Sequence, residues 1–254
     1  MIRGIYTSAS GMLAETARTD VISNNLANVN TTGYKRDVTI NKDFASLLME
    51  RINDGPVTPI GGMGVGTMVD EIATIQDQGA FKVTGNPLDV AIKGKGFFVI
   101  QTPAGERYTR NGSFQRSAQG ELVTSEGYRV LGQGGPIQLG DTEKVNISSD
   151  GRVQLQQPGQ IEAVEIGQLR IVEFADEKQL LKEGDSMFKA APNARPQAST
   201  TMVEQSALEM ANTNAVTEMI NLIAAFRSYE INSKAVQTHD TLMGRAVNDV
   251  GKLG

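Results

Sequence analysis

Apolar residues recur at alternating spacings of four and three along the last part of the chain, from Ala215 to Val250. This spacing keeps one face of an α-helix apolar and predicts a coiled-coil seam. At about 1.5 Å per residue the helix would be roughly 50 Å long, which is more than a compact domain of this size normally accommodates. The seam positions are Ala215, Met219, Leu222, Phe226, Tyr229, Ser233, Val236, Asp240, Met243, Val247 and Val250. A long, projecting C-terminal helix is therefore predicted, with polar breaks at Ser233 and Asp240.

The first residues of the chain follow the same spacing, which predicts a second helix from Ile2 to Leu26. Its seam, which is more polar in the second half, consists of Ile2, Ile5, Ala9, Met12, Thr16, Thr19, Ser23 and Leu26, and Tyr6, Leu13 and Ile22 broaden the apolar stripe. Gly4, Ser8 and Gly11 share one side of this helix, where small side chains would let a neighbouring helix approach closely. Because an interior glycine also lowers helix propensity by about 1 kcal/mol, local flexibility is an equally good interpretation.

The segment after the first helix changes in composition. Asparagine and threonine favour caps and turns, so the helix is predicted to end near Asn28 to Gly33, with Gly33 in the left-handed conformation. A short amphipathic helix is predicted from Lys42 to Arg51. Its apolar residues are Phe44, Leu47, Leu48 and Ile52. The glycine- and proline-rich stretch from Gly55 to Gly66 is predicted to be an extended connector.

Short apolar runs with frequent turn residues occupy the middle of the chain, from about Gln78 to Arg195. The runs are residues 88–93, 96–101, 107–110, 120–124, 128–131, 144–147, 152–156, 161–166 and 168–174. Strands of this length and spacing predict an all-β barrel or sandwich. Asp150-Gly151 is a typical hairpin turn. Asn86, Pro87 and Asp89 are predicted to form the turn through which the chain enters this domain.

These elements predict an α+β fold, in which long terminal helices pair as a coiled-coil-like unit and a central all-β domain lies between them in sequence. Four segments follow from the pattern: a helical segment over 1–33, a connector over 34–77, the β domain over 78–200, and a return connector with the C-terminal helix over 201–254. Ser206 and Glu209 fit a capping box, but Asn212, Thr213 and Asn214 are competing caps. We place the start of the regular helix at about Asn214.

Composition excludes several classes of function. The net charge is −5, and no run of lysine and arginine alternates with aromatic residues, so nucleic acid is not expected as a partner. The chain has no cysteine, which excludes disulfides, thiolate catalysis and cysteine metal sites. The one histidine, His239, lies in the predicted C-terminal helix. No carboxylate pairs with a histidine or a second acid in a pattern typical of acid–base catalysis. We therefore predict no enzyme activity, catalytic residue, cofactor, metal site or small-molecule substrate.

Two features of the sequence bear on the location of the protein. No apolar run approaches the roughly 20 residues that a membrane helix needs. The start of the chain also lacks the pattern of a cleaved signal peptide. Taken alone, these features indicate a cytoplasmic protein.

Four stretches resemble the signatures of the flagellar rod and hook axial proteins, in the order in which that family carries them. They are YTSASGMLAETARTDVISNNLANVNTTGYKRD from Tyr6, GNPLDVAIKGKGFFVI from Gly85, YTRNGSFQRSAQGELVTSEGYRVLG from Tyr108, and ALEMANTNAVTEMINLIAAFRSYEINSKAVQTHD from Ala207. The motif positions that we single out are Asn24, Asn25, Asn28, Asn30, Gly33, Asn86, Pro87 and Asp89. Together the four stretches span most of the chain.

The resemblance implies a structural subunit of the bacterial flagellar basal body, which polymerises into the rod between motor and hook. In this family both terminal helices pack in the inner layer of a tube, and a β domain lies outside. The implied partners are the chain itself, paralogous rod and hook proteins, and the flagellar type III export apparatus. The implied location is the periplasm-spanning rod, reached without a cleaved signal peptide, which replaces the cytoplasmic expectation. The compact length and the segment GGPIQL from Gly134 favour the proximal rod protein over the distal one.

We predict that the helical seams form the subunit interface. The residues expected there are Ile5, Met12, Leu13, Leu26, Met219, Leu222, Phe226, Tyr229, Val236 and Met243. The four asparagines between Asn24 and Asn30 are expected either to contact a neighbouring subunit or simply to terminate the first helix. Besides the distal rod protein, two alternatives remain open: an oligomeric module that binds cell-wall glycan, and a cell-wall hydrolase, which would require a carboxylate pair that the sequence does not display.

Overall fold

The computed structural model describes residues 2–43, 46–51, 58–64, 66–140, 144–156 and 164–251. Contacts divide the chain into two compact units. The first, which we call the helical unit, comprises Met1–Ala27, Asp37–Thr74 and Asn214–Gly254. The second, the β unit, comprises Asn28–Arg36 and Ile75–Thr213. Both units are therefore assembled from segments that lie far apart in the sequence.

The helical unit contains both predicted terminal helices. Helix α1 spans Ile2–Ala27 and helix α2 spans Ala215–Gly251. The side-chain oxygen of Asn214 accepts hydrogen bonds from the backbone N–H groups of Val216, at 2.9 Å, and Thr217, at 3.2 Å. Asn214 is thus the N-cap, and the predicted start of the helix is confirmed. Within the described part of the chain, no helix combines the length and apolarity needed to span a membrane.

Four strands complete the helical unit, where a connector had been expected. Strand β1 (Asp37–Asp43) pairs antiparallel with β4 (Thr67–Thr74), and β2 (Ser46–Arg51) pairs antiparallel with β3 (Thr58–Gly64). The short helix predicted from Lys42 to Arg51 is therefore wrong. An isolated helix of that length is marginal, whereas strand pairing satisfies the backbone hydrogen bonds of both partners. Phe44, Ile52 and Gly55, which belonged to these predictions, lie outside the described residues.

In its described residues, the β unit contains seventeen short strands and one turn of 3₁₀-helix at Glu177–Gln179. The strands are β5 (Phe81–Val83), β6 (Val90–Lys93), β7 (Phe97–Thr102), β8 (Gly105–Thr109), β9 (Phe114–Arg116), β10 (Leu122–Thr124), β11 (Arg129–Gly132), β12 (Gly135–Pro136), β13 (Lys144–Ile147), β14 (Arg152–Gln156), β15 (Val164–Gln168), β16 (Ile171–Phe174), β17 (Leu180–Gly184), β18 (Met187–Ala190), β19 (Pro196–Ala198), β20 (Met202–Gln205) and β21 (Ala207–Glu209). A central β-rich domain is therefore confirmed.

The strands pair antiparallel throughout the described residues. The largest sheet has ten strands and runs β17-β18-β8-β7-β11-β10-β9, with β12 beside β11, β16 beside β7, and β19 beside β16. A three-stranded sheet runs β13-β14-β15, and two further pairs are β6 with β20 and β5 with β21. The predicted hairpin at Asp150-Gly151 is confirmed, because it joins β13 to β14 and Gly151 has a φ of 82°.

Strand β7 is the centre of the β unit and is buried on both faces. Phe98 and Ile100 point into one apolar cluster, which also contains Val90 and Phe114. Phe97 and Val99 point into a second cluster, with Tyr108, Val172, Phe174, Leu180 and Phe188. Because alternate side chains of a strand face opposite sides of the sheet, a continuous apolar run such as FFVI is typical of a strand with a core on each side.

The predicted capping box at Ser206 and Glu209 is wrong. Ser206 lies in the turn between β20 and β21, where its φ of 59° is left-handed, and Glu209 is the last residue of β21. Strand β21 pairs with β5, so its backbone is already satisfied by a sheet partner. The helix begins several residues later, after Asn214.

Candidate assembly surfaces

Helices α1 and α2 run antiparallel and approach each other closely at two glycines of α1. A Cβ atom added to Gly4 would lie 2.5 Å from Nε2 of His239, and one added to Gly11 would lie 2.9 Å from Nδ2 of Asn232. One heptad separates the two glycines, and one heptad separates their partners. The small residues of α1 therefore admit a neighbouring helix, as one of the two interpretations of the sequence predicted.

The face of α2 that is turned toward α1 is largely polar. Glu218 and Ala225 are buried, and Asn232 and His239 continue the same column at heptad spacing. This column lies beside the predicted apolar seam and does not coincide with it. Contact within one chain therefore uses only part of the apolar surface of α2.

The predicted seam residues differ in exposure. Half-buried are Ile5, Met12, Leu26, Leu222, Val236 and Met243. Exposed are Leu13, Met219, Phe226 and Tyr229. The largest exposed fractions among them are 74% for Leu13 and 56% for Phe226. The structure thus leaves large apolar side chains of both helices accessible to a partner.

A row of exposed apolar residues runs along the N-terminal half of α2. We call it the α2 ridge, and it consists of Val216, Met219, Ile220, Ile223 and Phe226. Ile220 is 62% exposed and Ile223 is 54% exposed, whereas Ala225 on the opposite side of the helix is fully buried. Spacings of three and four place the ridge on one broad face. Contiguous apolar surface of this kind marks an interaction site more often than scattered apolar residues do.

The predicted asparagines have several roles. Asn25 is buried, and its amide donates to the carbonyl of Asp37 at 2.8 Å and accepts from the N–H of Asp37 at 2.9 Å. It thereby holds the start of β1 against α1. The Asn28 side chain accepts from Thr31 Oγ1 at 3.2 Å in the turn after the helix. Asn24 and Asn30 are exposed, and contact with a neighbouring subunit remains a proposal for these two.

The motif around Asn86 forms a turn, as predicted, but the turn lies within the β unit, after β5, and is not the entry to it. The side chain of Asn86 donates to Asp89 Oδ1 at 2.9 Å, and Thr84 Oγ1 donates to Asp89 Oδ2 at 2.6 Å. The carbonyl of Pro87 accepts from Gln205 Nε2 at 2.8 Å. Since the N–H of Asp89 also bonds to the carbonyl of Asn86, these residues close a turn immediately before β6.

A buried group of charges joins four segments of the β unit. Oε1 of Glu209 accepts from Lys35 Nζ at 2.6 Å and from the N–H of Gly79 at 2.9 Å, while Oε2 lies 3.3 Å from Nη1 of Arg110. The Lys35 ammonium also donates to the carbonyl of Asp77 at 2.7 Å. Side chains of all three ionic residues are 2% exposed or less. Residues far apart in the sequence are thus held at one point.

Burial dominates the electrostatics of this group. It lowers the pKa of the Lys35 ammonium below its usual value, and the charge of Glu209 opposes that effect. Burial likewise lowers the pKa of Arg110, again opposed by Glu209. Two cations share one carboxylate, so removal of Glu209 would leave both without an anionic partner in this group.

Hydrogen bonds of Gly33 and Asn212 also hold these segments together. Gly33 has a φ of 66°, and its N–H donates to the carbonyl of Glu209 at 2.8 Å, so the predicted left-handed conformation is confirmed. A side chain there would clash with the backbone of Arg110 and Asn111. The side chain of Asn212 accepts from the N–H of Arg36 at 2.8 Å and donates to the carbonyl of Ile75 at 2.7 Å.

The sequence alone did not point to Lys35, Arg110 and Glu209. The one available signal was a charged residue between apolar neighbours, as at Glu209 between Leu208 and Met210 in β21. Across the described ranges, no group of histidine and acidic residues has a geometry suited to a metal ion.

The fold is typical of a protein subunit that associates with others. Its two antiparallel helices expose apolar faces, while its β unit has a packed core. Three family models match the chain. The model described as Flagella basal body rod protein matches residues 5–35, the Flagellar hook protein FlgE/F/G D1 domain matches residues 91–155, and the Flagellar basal body rod FlgEFG protein C-terminal matches residues 204–249.

Relatives that match the chain over nearly its whole length are also flagellar proteins. The chain is 37% identical over 268 residues to the flagellar basal-body rod protein FlgG of Borreliella burgdorferi, covering 98% of each chain. It is 35% identical to FlgG of Bacillus subtilis, covering 98% of this chain and 99% of the relative. It is 29% identical to the flagellar hook-basal body complex protein FlhO of Bacillus subtilis, covering 100% of both. The chain belongs to the flagellar basal-body rod protein family, and it is a structural subunit of the rod and not an enzyme.

Proposed function

We propose that α1 and α2 form the polymerisation segment of this rod subunit. In this proposal they pair as a coiled-coil-like unit, and their remaining apolar faces pack against other copies and against paralogous rod and hook proteins. The exposed α2 ridge is the observation that supports it. Burial of one large aliphatic or aromatic side chain stabilises an interface by about 1.5–3 kcal/mol, so several together favour association strongly.

Substitution of a seam residue tests this function. Leu222→Asp is expected to abolish rod assembly and motility, because a carboxylate buried between helices is not compensated. The matched control is Leu181→Asp, at an exposed leucine of β17, which is expected to leave assembly intact. Circular dichroism of the purified variant checks that the β unit remains folded. A motile strain whose only copy carries Leu222→Asp would contradict the proposal.

The exposed helical surface also supports a proposal about the isolated monomer. We expect its terminal segments to be poorly ordered before assembly, because ordering entropy is recovered only when neighbours cover the apolar faces. Limited proteolysis of the monomer should therefore cleave the terminal segments before residues 80–195. Equal resistance of both regions would argue against folding on assembly.

Export through the flagellar type III export apparatus, without a cleaved signal peptide, is a separate proposal that rests on family membership. Mass spectrometry of the subunit in isolated basal bodies should find the first residues of the chain. A strain that lacks the export apparatus should retain the subunit in the cytoplasm. A shortened N-terminus in assembled rods would contradict this route.

We further propose that the chain belongs with the relatives named FlgG and not with FlhO, since identity is higher to the former over almost the whole length. The sequence favours the proximal part of the rod, with the distal part as the alternative. Electron microscopy of basal bodies from a deletion strain distinguishes them. Growth that stops early in the rod is expected for a proximal subunit, and a nearly complete rod without a hook would indicate a distal one.

A further inference from the structure

Helix α1 and strand β4 enclose an apolar groove in the helical unit. Its lining consists of Ser10, Leu13, Ala14, Thr67, Met68 and Val69, and its volume is about 280 Å³. The one hydroxyl in contact with both elements is already used, because Ser10 Oγ donates to the carbonyl of Thr7 at 2.8 Å and accepts from the N–H of Thr67 at 3.2 Å. What the groove offers a partner is therefore apolar surface.

The size of the groove favours a side chain over a free ligand. Small-molecule sites typically measure about 300–1,000 Å³ and combine apolar walls with convergent polar groups. This groove lies just below that range, and Ser10 is satisfied within the chain. Leu13 and Met68 at its mouth are themselves exposed. One large apolar side chain fits the space and the chemistry.

The α2 ridge of the same molecule faces away from α1. Ala225 and Asn232 lie on the α1 side of α2, and the ridge residues occupy the other side. Its own ridge therefore does not cover the groove, and a ridge from another molecule is required. Phe226 is the largest residue of the ridge, and buried aromatic residues are common anchors of interfaces.

The charges beside the two surfaces differ in sign once ion pairs within the chain are set aside. Lys42, opposite the groove residue Met68, pairs with Asp70. Glu230, one turn after Phe226, pairs with Lys234. Arg227, exposed next to Phe226, is the basic residue beside the ridge. Acidic Asp43 and Glu71 are exposed on the strands at the groove, and Asp43 pairs in register with the groove residue Thr67. An arginine that accompanies the inserted phenylalanine would thus meet acidic residues.

We propose that Phe226 on the α2 ridge of one copy inserts into the α1–β4 groove of a second copy. The inference rests on the proposed self-assembly and specifies its contact. Because ridge and groove are different surfaces, each contact leaves one free groove and one free ridge, which recruit further copies. Such a heterologous contact generates open-ended helical polymers.

The absence of cysteine in the chain permits a direct test by cross-linking. Met68→Cys places a thiol at the mouth of the groove, and Glu230→Cys places one at an exposed position one helical turn after Phe226, outside the ridge. Both substitutions leave Leu13, Phe226 and the other ridge residues intact. Polymers of the doubly substituted chain, assembled under reducing conditions and then treated with a short bismaleimide, should yield a ladder of covalent oligomers. A mixture of the two single variants should yield dimers only. The control pair Leu181→Cys and Glu230→Cys should yield no ladder.

The outcomes of the cross-linking experiment distinguish an error in the ridge-and-groove contact from an error in the proposed self-assembly. Polymers that form without a ladder would overturn the ridge-and-groove contact and leave self-assembly standing. Failure of the unsubstituted chain to polymerise would overturn both. As a second readout, Phe226→Asp should lower the yield of polymer at least tenfold, whereas Phe226→Leu should retain it. Unchanged assembly of Phe226→Asp would equally refute the insertion.

Discussion

The two units of this protein bury their apolar residues in different ways. In the β unit, strand β7 alone places four large side chains, from Phe97 to Ile100, at 1% exposure or less. In α2, residues of similar size such as Ile220 and Phe226 are mostly exposed, and Ala225 is the apolar residue that is fully buried. The β unit therefore contains a packed apolar core of its own. We expect the helical unit to gain much of its stability from neighbouring subunits.

The largest expected effect concerns the buried charges of the β unit. Glu209→Gln should lower the free energy of unfolding by about 3–5 kcal/mol, because it leaves Lys35 and Arg110 buried without a counter-charge. Urea denaturation of the β unit measures this loss. The control is Glu204→Gln, which removes an exposed ion pair with Lys93 and should cost no more than about 1 kcal/mol. Similar losses for both variants would contradict the structural importance of the buried group.

Replacement of an isoleucine by alanine in each unit allows their contributions to stability and to assembly to be compared directly. Ile100→Ala in β7 should destabilise the monomer by about 2–5 kcal/mol, since it creates a cavity in a packed core. Ile223→Ala on the α2 ridge should change monomer stability by less than about 0.5 kcal/mol, because the side chain is already exposed. Thermal unfolding measures the stability of each variant, and an assembly assay measures how well it polymerises. The ridge variant should assemble poorly in spite of its normal stability. Normal assembly of Ile223→Ala would contradict the expectation that ridge residues contribute to assembly while core residues contribute to monomer stability.

The close approach of the two helices predicts a smaller effect. Gly11→Val should destabilise the helical unit by about 1–3 kcal/mol, because the added side chain collides with Asn232. A second substitution, Asn232→Ala, should recover part of that loss. Gly244→Val is the matched control, since a Cβ at Gly244 meets nothing within 4 Å. Helical circular dichroism during thermal unfolding of assembled polymers provides the measurement, and equal effects at the two glycines would exclude close packing at Gly11.

The N-cap of α2 gives the smallest expected change. Asn214→Ala removes the acceptor of two backbone N–H groups and should cost about 1 kcal/mol. Asn248→Ala, at an exposed position within the same helix, should have no such cost. Thermal unfolding of assembled polymers of the two variants, followed by helical circular dichroism, compares their stabilities. No difference between the two asparagines would mean that the cap does not limit helix stability.

Local patterns predicted most of the secondary structure. Asn214 begins α2 because its side chain caps the first backbone donors, and Asp150-Gly151 forms a hairpin because glycine tolerates a positive φ. Both features depend on a few adjacent residues. Strand β2 was missed because Leu47 and Leu48 fit a helical period as well, and only the pairing of β2 with β3 decides between the two structures. Most of β1 lay within the segment that was predicted to be a connector.

Features that depend on distant residues could not be predicted. Glu209 lies 174 positions from Lys35 and 99 from Arg110 along the chain, and no local pattern connects them. The same holds for the groove, whose walls come from α1 and β4. The interface residues were chosen by periodicity, which identifies an apolar stripe but not the part of it that α1 covers. Exposure of Met219 and Phe226, and partial burial of Leu222 and Val236, required the structure.

The antiparallel contact of Gly4 with His239 has a consequence for the order of events during synthesis. The first residues of the chain find their partner only when almost the whole polypeptide has been made, whereas the strands of the β unit are complete earlier. Contacts between such distant positions also form slowly, because a long loop must close first. The helix pair that carries the surfaces for other subunits is consequently expected to form after the β unit, so that a subunit can hold a folded β unit while its two helices are still unpaired.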